Sequence, residues 1–269
     1  MSGAGYLQAA RNDSDMDALT EFQTTGIEVF YQPQIFLSDG RVFGAEALVR
    51  KRTGRGLLGA EKFVPQLEAV NRIGALDLLV LERVIAQQRT WCRQGLNIKI
   101  SVNLSRNSFN EPEFMRTYLS MVARCGLPPE RLGFELTESA LGLSPDNIRT
   151  MLSELSDRGY AVALDDFGTG YSSLAMLDSL PIQYAKIDKA FLNPRDKDGR
   201  WAAFLQDMIR LLQNLGIKAI CEGVETREQA LLLRRIGCDL AQGFYFSKPL
   251  PANELEKKLM LATSCHMDQ

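Results

Sequence analysis

Histidine is almost missing from this chain: of 269 residues only His266 carries an imidazole, three residues from the end in a polar tail. A Ser-His-Asp or Cys-His nucleophile, a His-ligated zinc ion and a His general base are therefore excluded as working hypotheses. Chemistry falls instead to carboxylates, lysine, carboxamides and metal ions. Cysteine offers no framework either. Cys92, Cys125, Cys221, Cys238 and Cys265 are odd in number, scattered, and form no Cys-x-x-Cys pair, which points to a reduced, cytoplasmic setting. Long apolar runs are absent. The stretch from Ala75 to Ala86 is broken by Asp77, Glu82 and Arg83, and the N-terminus lacks the pattern of a signal peptide, so no membrane span is expected in this chain. With 31 Lys and Arg against 33 Asp and Glu, and no basic run, the broad positive surface needed to bind a nucleic-acid polymer is missing. A small nucleotide stays compatible with this charge balance.

What is present is a hydrophobic content of 45%, enough for one large α/β domain, although length alone would allow two. Residues 1–24 read as a polar lead-in with a short helix near Asp15 to Phe22, residues 25–260 as the domain, and residues 261–269 as a polar tail. Eight β-branched runs follow one another: "IEVFYQPQ", "RVFGAEALV", "IKISVNLS", "RLGFELTES", "YAVALDD", "YAKID", "KAICEGVE" and "DLAQGFYF". Helix-period segments lie between the later ones, at Leu76 to Gln94, Glu111 to Cys125, Asp146 to Arg158, Trp201 to Leu215 and Arg227 to Ile236, with Gly216 and Gly237 as stop signals. Only "LSDG" separates the first two runs, so that pair is expected to be antiparallel. The pattern fits an α/β fold, a TIM-like (β/α)8 barrel with an irregular, antiparallel first strand; a doubly wound open sheet is the alternative.

The polar residues recur at one place in this pattern. Strand after strand ends in a group able to bind a cation or phosphate: Glu46, Asn103, Glu135, Asp165 and Asp166, Lys186, Glu222 and Gln242. Merely solvated strand ends predict a mixture of polar types, whereas most of these are carboxylates or carboxamides, and in a barrel they would meet at one mouth. Asp165 and Asp166 pose the sharpest problem. Adjacent acids raise each other's pKa unless a cation compensates, so "AVALDDFGTGYSS" calls for a basic side chain or a metal ion, unless it is only a solvated turn. An embedded "DFG" suggests a protein kinase, but no His-Arg-Asp loop exists, and "GTGYSS" fails the dinucleotide fingerprint at Ser173.

Taken in order, "EALVR", "SVNLS", "FELTES", "LDDFGTGYSSL", "AKID", "EGVE" and "QGFYFSKPLP" resemble the successive motifs of the EAL domain, the cyclic di-GMP phosphodiesterase family, from about Thr25 to Leu259. The resemblance implies hydrolysis of cyclic di-GMP to linear pGpG. It implies that Glu46, Asn103, Glu135 and Asp165 hold one divalent ion, that Asp165 bridges, and that Asp166 and Glu222 complete the second site. Lys186 would steady the attacking water and the phosphate, with Glu46, Asp165, Lys186 and Glu222 as the catalytic set. Gln32, Leu48, Arg50, Glu225 and Gln242 would face the substrate, and Glu138 would anchor the loop that begins at Asp166. An all-oxygen site suits two ions of Mg²⁺ or Mn²⁺, while Ca²⁺ is expected to inhibit. The competing expectation is a catalytically silent receptor or protein-interaction domain, and the complete ligand set favours catalysis. Family resemblance further implies a homodimer and a sensor or GGDEF module in cis outside this chain.

Other residues receive plainer readings. Trp91 and Trp201 sit on helix-period segments and read as packing. The cysteines read as small hydrophobes, with Cys221, beside Glu222, as a candidate for oxidation. "RKRTGR", residues 50–55, reads as a solvated loop apart from Arg50, and it lacks the Trp and His-Pro common in the family there.

Overall fold

Alternating strands and helices close on themselves in the computed structural model of the chain, which describes residues 26–106, 109, 112–142, 145–169, 174–192 and 200–264. The strands are β1 (Ile27–Phe36), β2 (Val42–Thr53), β3 (Gly56–Gly59), β4 (Lys99–Leu104), β5 (Leu132–Thr137), β6 (Ala161–Phe167), β7 (Tyr184–Ile187), β8 (Lys218–Cys221), β9 (Leu240–Gln242) and β10 (Leu250–Pro251). The helices are α1 (Val64–Ala69), α2 (Ile73–Arg93), α3 (Pro112–Ala123), α4 (Pro145–Asp157), α5 (Leu174–Ser179), α6 (Arg200–Asn214), α7 (Arg227–Arg235) and α8 (Ala252–Ser264). Eight strands form the barrel in the order β1-β2-β4-β5-β6-β7-β8-β9, and β9 returns to β1. β1 runs antiparallel to both of its barrel neighbours, and every other adjacent pair is parallel.

The odd first strand has a local cause. A tight turn closes β1 onto β2, with Gly40 at φ +77° and its N–H donating to the Phe36 carbonyl at 2.9 Å. The Asp39 carboxylate accepts from the Arg41 N–H at 2.9 Å. So short a connection can only reverse the chain, whereas the parallel neighbours need crossovers of a dozen or more residues. α7 shows how those crossovers are delimited. Thr226 accepts from the Gln229 N–H while the Gln229 side chain accepts from the Thr226 N–H, and Gly237 at φ +88° follows Arg234 and Arg235 in the last turn.

The core lies between the barrel wall and the helices. α2 buries Leu76, Leu81, Val84 and Trp91, and the indole of Trp91 meets the Tyr31 ring edge-on at 5.0 Å. Trp201 also packs, its Nε1–H donating to the Phe191 carbonyl at 2.7 Å. Among the described residues no helix is long and apolar enough to cross a membrane.

Each of the eight expected runs holds a barrel strand, but β8 and β9 stop early, at Cys221 and Gln242. Beyond them the two loops touch: a Cβ on Gly243 would stand 2.1 Å from the Val224 carbonyl oxygen, so only glycine permits this approach. The expected solvated loop at 50–55 is corrected. β2 continues through Thr53, and Gly56 at φ +118° turns the chain into β3, so a hairpin forms. Its Thr53 hydroxyl donates to the Gly56 carbonyl and accepts from the Arg55 N–H, while Arg52 pairs with Glu28 on β1. α8 runs past residue 260 to Ser264. The expected lead-in helix at Asp15 to Phe22, residues 170–173 of the glycine loop, Cys265 and His266 lie outside the described residues.

Candidate active site

Parallel register carries the strand-end side chains to one level. Asn103 on β4 is paired with Glu135 on β5, and Asp165 on β6 lies opposite Thr137. Glu46 on β2 sits opposite Gln32 on β1 and Ser101 on β4. At the centre stands Lys186 of β7, only 1% exposed, with its Nζ 2.6 Å from Glu135, 2.8 Å from Glu222, and 3.2 Å from both Glu46 and Asp165. Four carboxylates thus surround one ammonium.

Carboxamides fix the orientation of Glu46. The Asn103 amide donates to its Oε1 at 2.8 Å, and the Gln242 amide to its Oε2 at 2.6 Å. Gln242 also donates to Gln32 at 3.2 Å, and Gln32 in turn to the Ser247 carbonyl. Ser101, which the sequence reading missed, donates a short hydrogen bond to Glu135 Oε1. Strand alternation is the signal that finds it, because Ser101 and Asn103 are two apart and share a face.

The Asp165–Asp166 pair is held by a left-handed residue. Asp166 adopts φ +57°, its N–H donates to Asp165 Oδ1 at 2.9 Å, and its carbonyl accepts from the Thr169 hydroxyl at 2.9 Å. Buried Glu138 accepts the N–H groups of Gly168 and Thr169 at 2.9 and 3.1 Å. Gly168, at φ +93°, leaves no room for a side chain, since a Cβ would stand 2.9 Å from the Phe191 ring.

This cluster carries more negative charge than its lysine balances. Burial pushes the Glu135 carboxyl up to about 7 despite Lys186, with Glu46 and Asp165 adding to the rise. Burial also pushes Glu222 well above the carboxylate range. Asp166 is raised by burial and then by Asp165. Glu46 goes the other way: burial opposes its charge, but Lys186 and the hydrogen bonds from Asn103 and Gln242 hold it below the usual value. On Lys186 itself burial is outweighed by Asp165, Glu135, Glu222 and Glu46, and its pKa stands well above normal.

The residues present fit divalent cations. Oxygens of Glu46, Glu135 and Asp165 lie within 4.8 Å of one another, as do those of Asp165, Asp166 and Glu222, so Asp165 is common to two acidic triads. The donor set is all oxygen, which suits Mg²⁺ or Mn²⁺. Gln242 Oε1 is buried and accepts nothing from the described residues, an acceptor available to a bound water or substrate.

Above the cluster opens a cavity of about 310 Å³ lined by Gln32, Glu46, Leu48, Asp165, Lys186, Glu222, Glu225 and Gln242. Lys189, Gly223, Gly243 and Phe244 complete its wall; Lys189 and Phe244 were not singled out from sequence. Phe244 is 57% exposed, with Lys248 Nζ 5.7 Å from its ring centre, and an aromatic just past a strand end was its only signal. Arg50 is not part of this wall; its Nη1 donates to the Val49 carbonyl at 2.8 Å.

Comparison with known proteins agrees with this geometry. A profile of the EAL domain matches residues 16–249. The cyclic di-GMP phosphodiesterase NbdA of Pseudomonas aeruginosa is 37% identical over 235 residues, covering 87% of this chain and 30% of NbdA. The oxygen sensor protein DosP of Escherichia coli is 35% identical over 231 residues, 85% of this chain and 29% of DosP. This chain therefore spans less than a third of either relative. Among solved structures, the PaMucR phosphodiesterase in its c-di-GMP complex aligns with a TM-score of 0.81 at 34% identity, over 90% of this chain and 98% of that one. An EAL domain protein from Listeria monocytogenes EGD-e aligns with a TM-score of 0.80 at 29% identity, over 94% and 100%. A barrel with one reversed strand, an acidic mouth built from the ordered motifs, and a profile match across most of its length make this chain a member of the EAL domain family.

Proposed function

We propose that this domain hydrolyses one phosphodiester bond of cyclic di-GMP to linear pGpG with the help of two divalent ions, Mg²⁺ or Mn²⁺. The observation that carries the reading is the pair of acidic triads sharing Asp165 around Lys186. When bound, the two ions activate a water and offset charge on the entering and leaving oxygens. Glu46, Asn103, Glu135 and Asp165 would hold the first ion, and Asp165, Asp166 and Glu222 the second. Lys186 Nζ keeps its proton, because the surrounding carboxylates stabilise the ammonium, so it serves as a donor that orients water and phosphate and not as a base. Gln242 accepts a hydrogen bond at its unpartnered Oε1. Gln32, Leu48 and Glu225 line the substrate side, and Arg50, whose Nη1 donates to the Val49 carbonyl, would contact a phosphate oxygen. Glu138 holds the Gly168–Thr169 turn and thereby Asp166.

The full assignment also has the domain at residues 25–260 acting in the cytoplasm as a homodimer, with a sensor or GGDEF module elsewhere in the protein. The test is incubation of the purified chain with cyclic di-GMP and Mg²⁺ or Mn²⁺, followed by separation of the nucleotides. The expected result is pGpG with either ion and none after chelation. Tight binding without linear product in both ions places the domain among the receptors.

A further inference from the structure

Behind the acidic mouth, on the outer side of the barrel, two thiols meet. Cys221 ends β8 immediately before Glu222, and Cys238 stands two residues before β9. Their sulfurs are 3.4 Å apart, and both residues are buried. Cys238 is 5% exposed and lines a cavity of about 360 Å³ at the N-terminal end of the parallel strands, together with Lys218 and Arg234. That cavity gives a small oxidant a route to Cys238. Cys221, the residue singled out from sequence as a candidate for oxidation, is 0% exposed and does not line that cavity.

We propose that Cys238 and Cys221 form a peroxide-responsive pair that closes to an intramolecular disulfide and slows turnover at the neighbouring Glu222. The Cys238 sulfur attacks one oxygen of a hydroperoxide while the thiol proton passes to the departing oxygen. The O–O bond breaks, water or an alcohol leaves, and Cys238 becomes a sulfenic acid. Cys221 sulfur then attacks the Cys238 sulfur, and the hydroxyl departs as water with the Cys221 proton. Two thiols are oxidised by two electrons and one peroxide is reduced. The bonded sulfurs must stand about 2.05 Å apart, so one or both ends of the link move. A backbone shift at Cys221 carries with it Glu222, whose carboxylate lies 2.8 Å from Lys186 Nζ. Displacements near 1 Å at a reacting site cost about a hundredfold.

The experiment treats the reduced protein with a small excess of hydrogen peroxide, blocks free thiols with an alkylating reagent under denaturing conditions, and maps tryptic peptides. Cleavage after Arg227, Arg234 and Arg235 separates the two cysteines. The expected result is three alkylated cysteines in place of five, a linked peptide pair carrying Cys221 and Cys238, and pGpG formation at least about tenfold slower until dithiothreitol restores it. Cys238→Ser should form no link and keep its turnover in peroxide, while Cys221→Ser should add oxygen at Cys238 without linkage. Five alkylated cysteines after treatment, a link to any other cysteine, or a closed link with unchanged turnover overturns the proposal. The slowing of turnover rests on the phosphodiesterase reading, whereas the link does not. If the reduced protein makes no pGpG, that reading has failed by itself, and the thermal shift produced by Mn²⁺, expected to shrink on linkage, decides the thiol proposal instead.

Discussion

Lys186 Nζ lies 2.6 Å from Glu135 Oε2, and each of these side chains is 1% exposed. An ammonium on one strand and a carboxylate two strands away are thus desolvated together, with three more carboxylates within 3.2 Å of the same nitrogen. Removing one partner of a buried pair leaves charge uncompensated, at a cost of about 3–5 kcal/mol. Lys186→Met should therefore lower unfolding stability by about that much in urea titrations without metal. It should also abolish pGpG formation. A metal-free stability equal to the parent protein's would show that the acids simply protonate.

Glu46 and Asp165 stand in the first triad, and Asp165 in both. Glu46→Ala and Asp165→Ala should each reduce turnover by roughly a hundredfold or more with the fold retained, as expected for lost stabilisation of charge at a metal centre. Steady-state kinetics with circular dichroism as the folding control checks this. Near-normal turnover in a folded Glu46→Ala protein contradicts the ligand assignment.

Glu138 touches the loop and not the cavity. Glu138→Ala leaves two N–H groups without their acceptor. Metal affinity and substrate affinity should then weaken together by about 10- to 100-fold, the usual effect of a group that orients a ligand. Titration of Mn²⁺ at fixed cyclic di-GMP measures it. Full activity at limiting ion would assign Glu138 to stability alone.

The elevated Glu135 carboxyl gives a pH dependence with a definite sign. Its folded, metal-free pKa is about 7, raised from 4.5, so the stabilising effect of its proton is complete below about 4.5 and lost as pH rises through about 7. A dication needs the carboxylate and must displace that proton below about 7. The rise in Tm produced by Mn²⁺ should be larger at pH 8 than at pH 6. Equal shifts at the two values would mean that Glu135 does not meet the ion.

Calcium probes geometry at constant ligand chemistry. An all-oxygen site accepts Ca²⁺, but its oxygen distances of about 2.3–2.6 Å and loose coordination differ from the near-octahedral ~2.1 Å of Mg²⁺. Cyclic di-GMP should still associate in Ca²⁺ while pGpG formation falls, and excess Mg²⁺ or Mn²⁺ should restore it. Side-by-side binding and product assays check this; equal turnover in the two ions contradicts metal positioning of the nucleophile.

Read along the chain alone, alternating periods identify the strands and helices, the short "LSDG" connection identifies the reversed pair, and the ordered motifs identify the family. These are local signals: a period of two or 3.6, a glycine that permits positive φ, an acid at a strand end. Charge patterning also says that the mouth is acidic. Distance between strands is another matter. That Lys186 reaches four carboxylates, that Ser101 holds Glu135, and that Cys238 faces Cys221 follow from the closed barrel and its register. Strand pairing sets which side chains share a level, and burial then decides their charge. The hairpin at 50–56 shows the same limit from the other side. Its polar residues read as a loop until β1 supplies Glu28 for Arg52 and the backbone of β2 finds a partner in β3. Sequence determined which groups gather at the barrel mouth, and tertiary closure decided which of them touch, because only closure removes the water that would otherwise keep each charge separate.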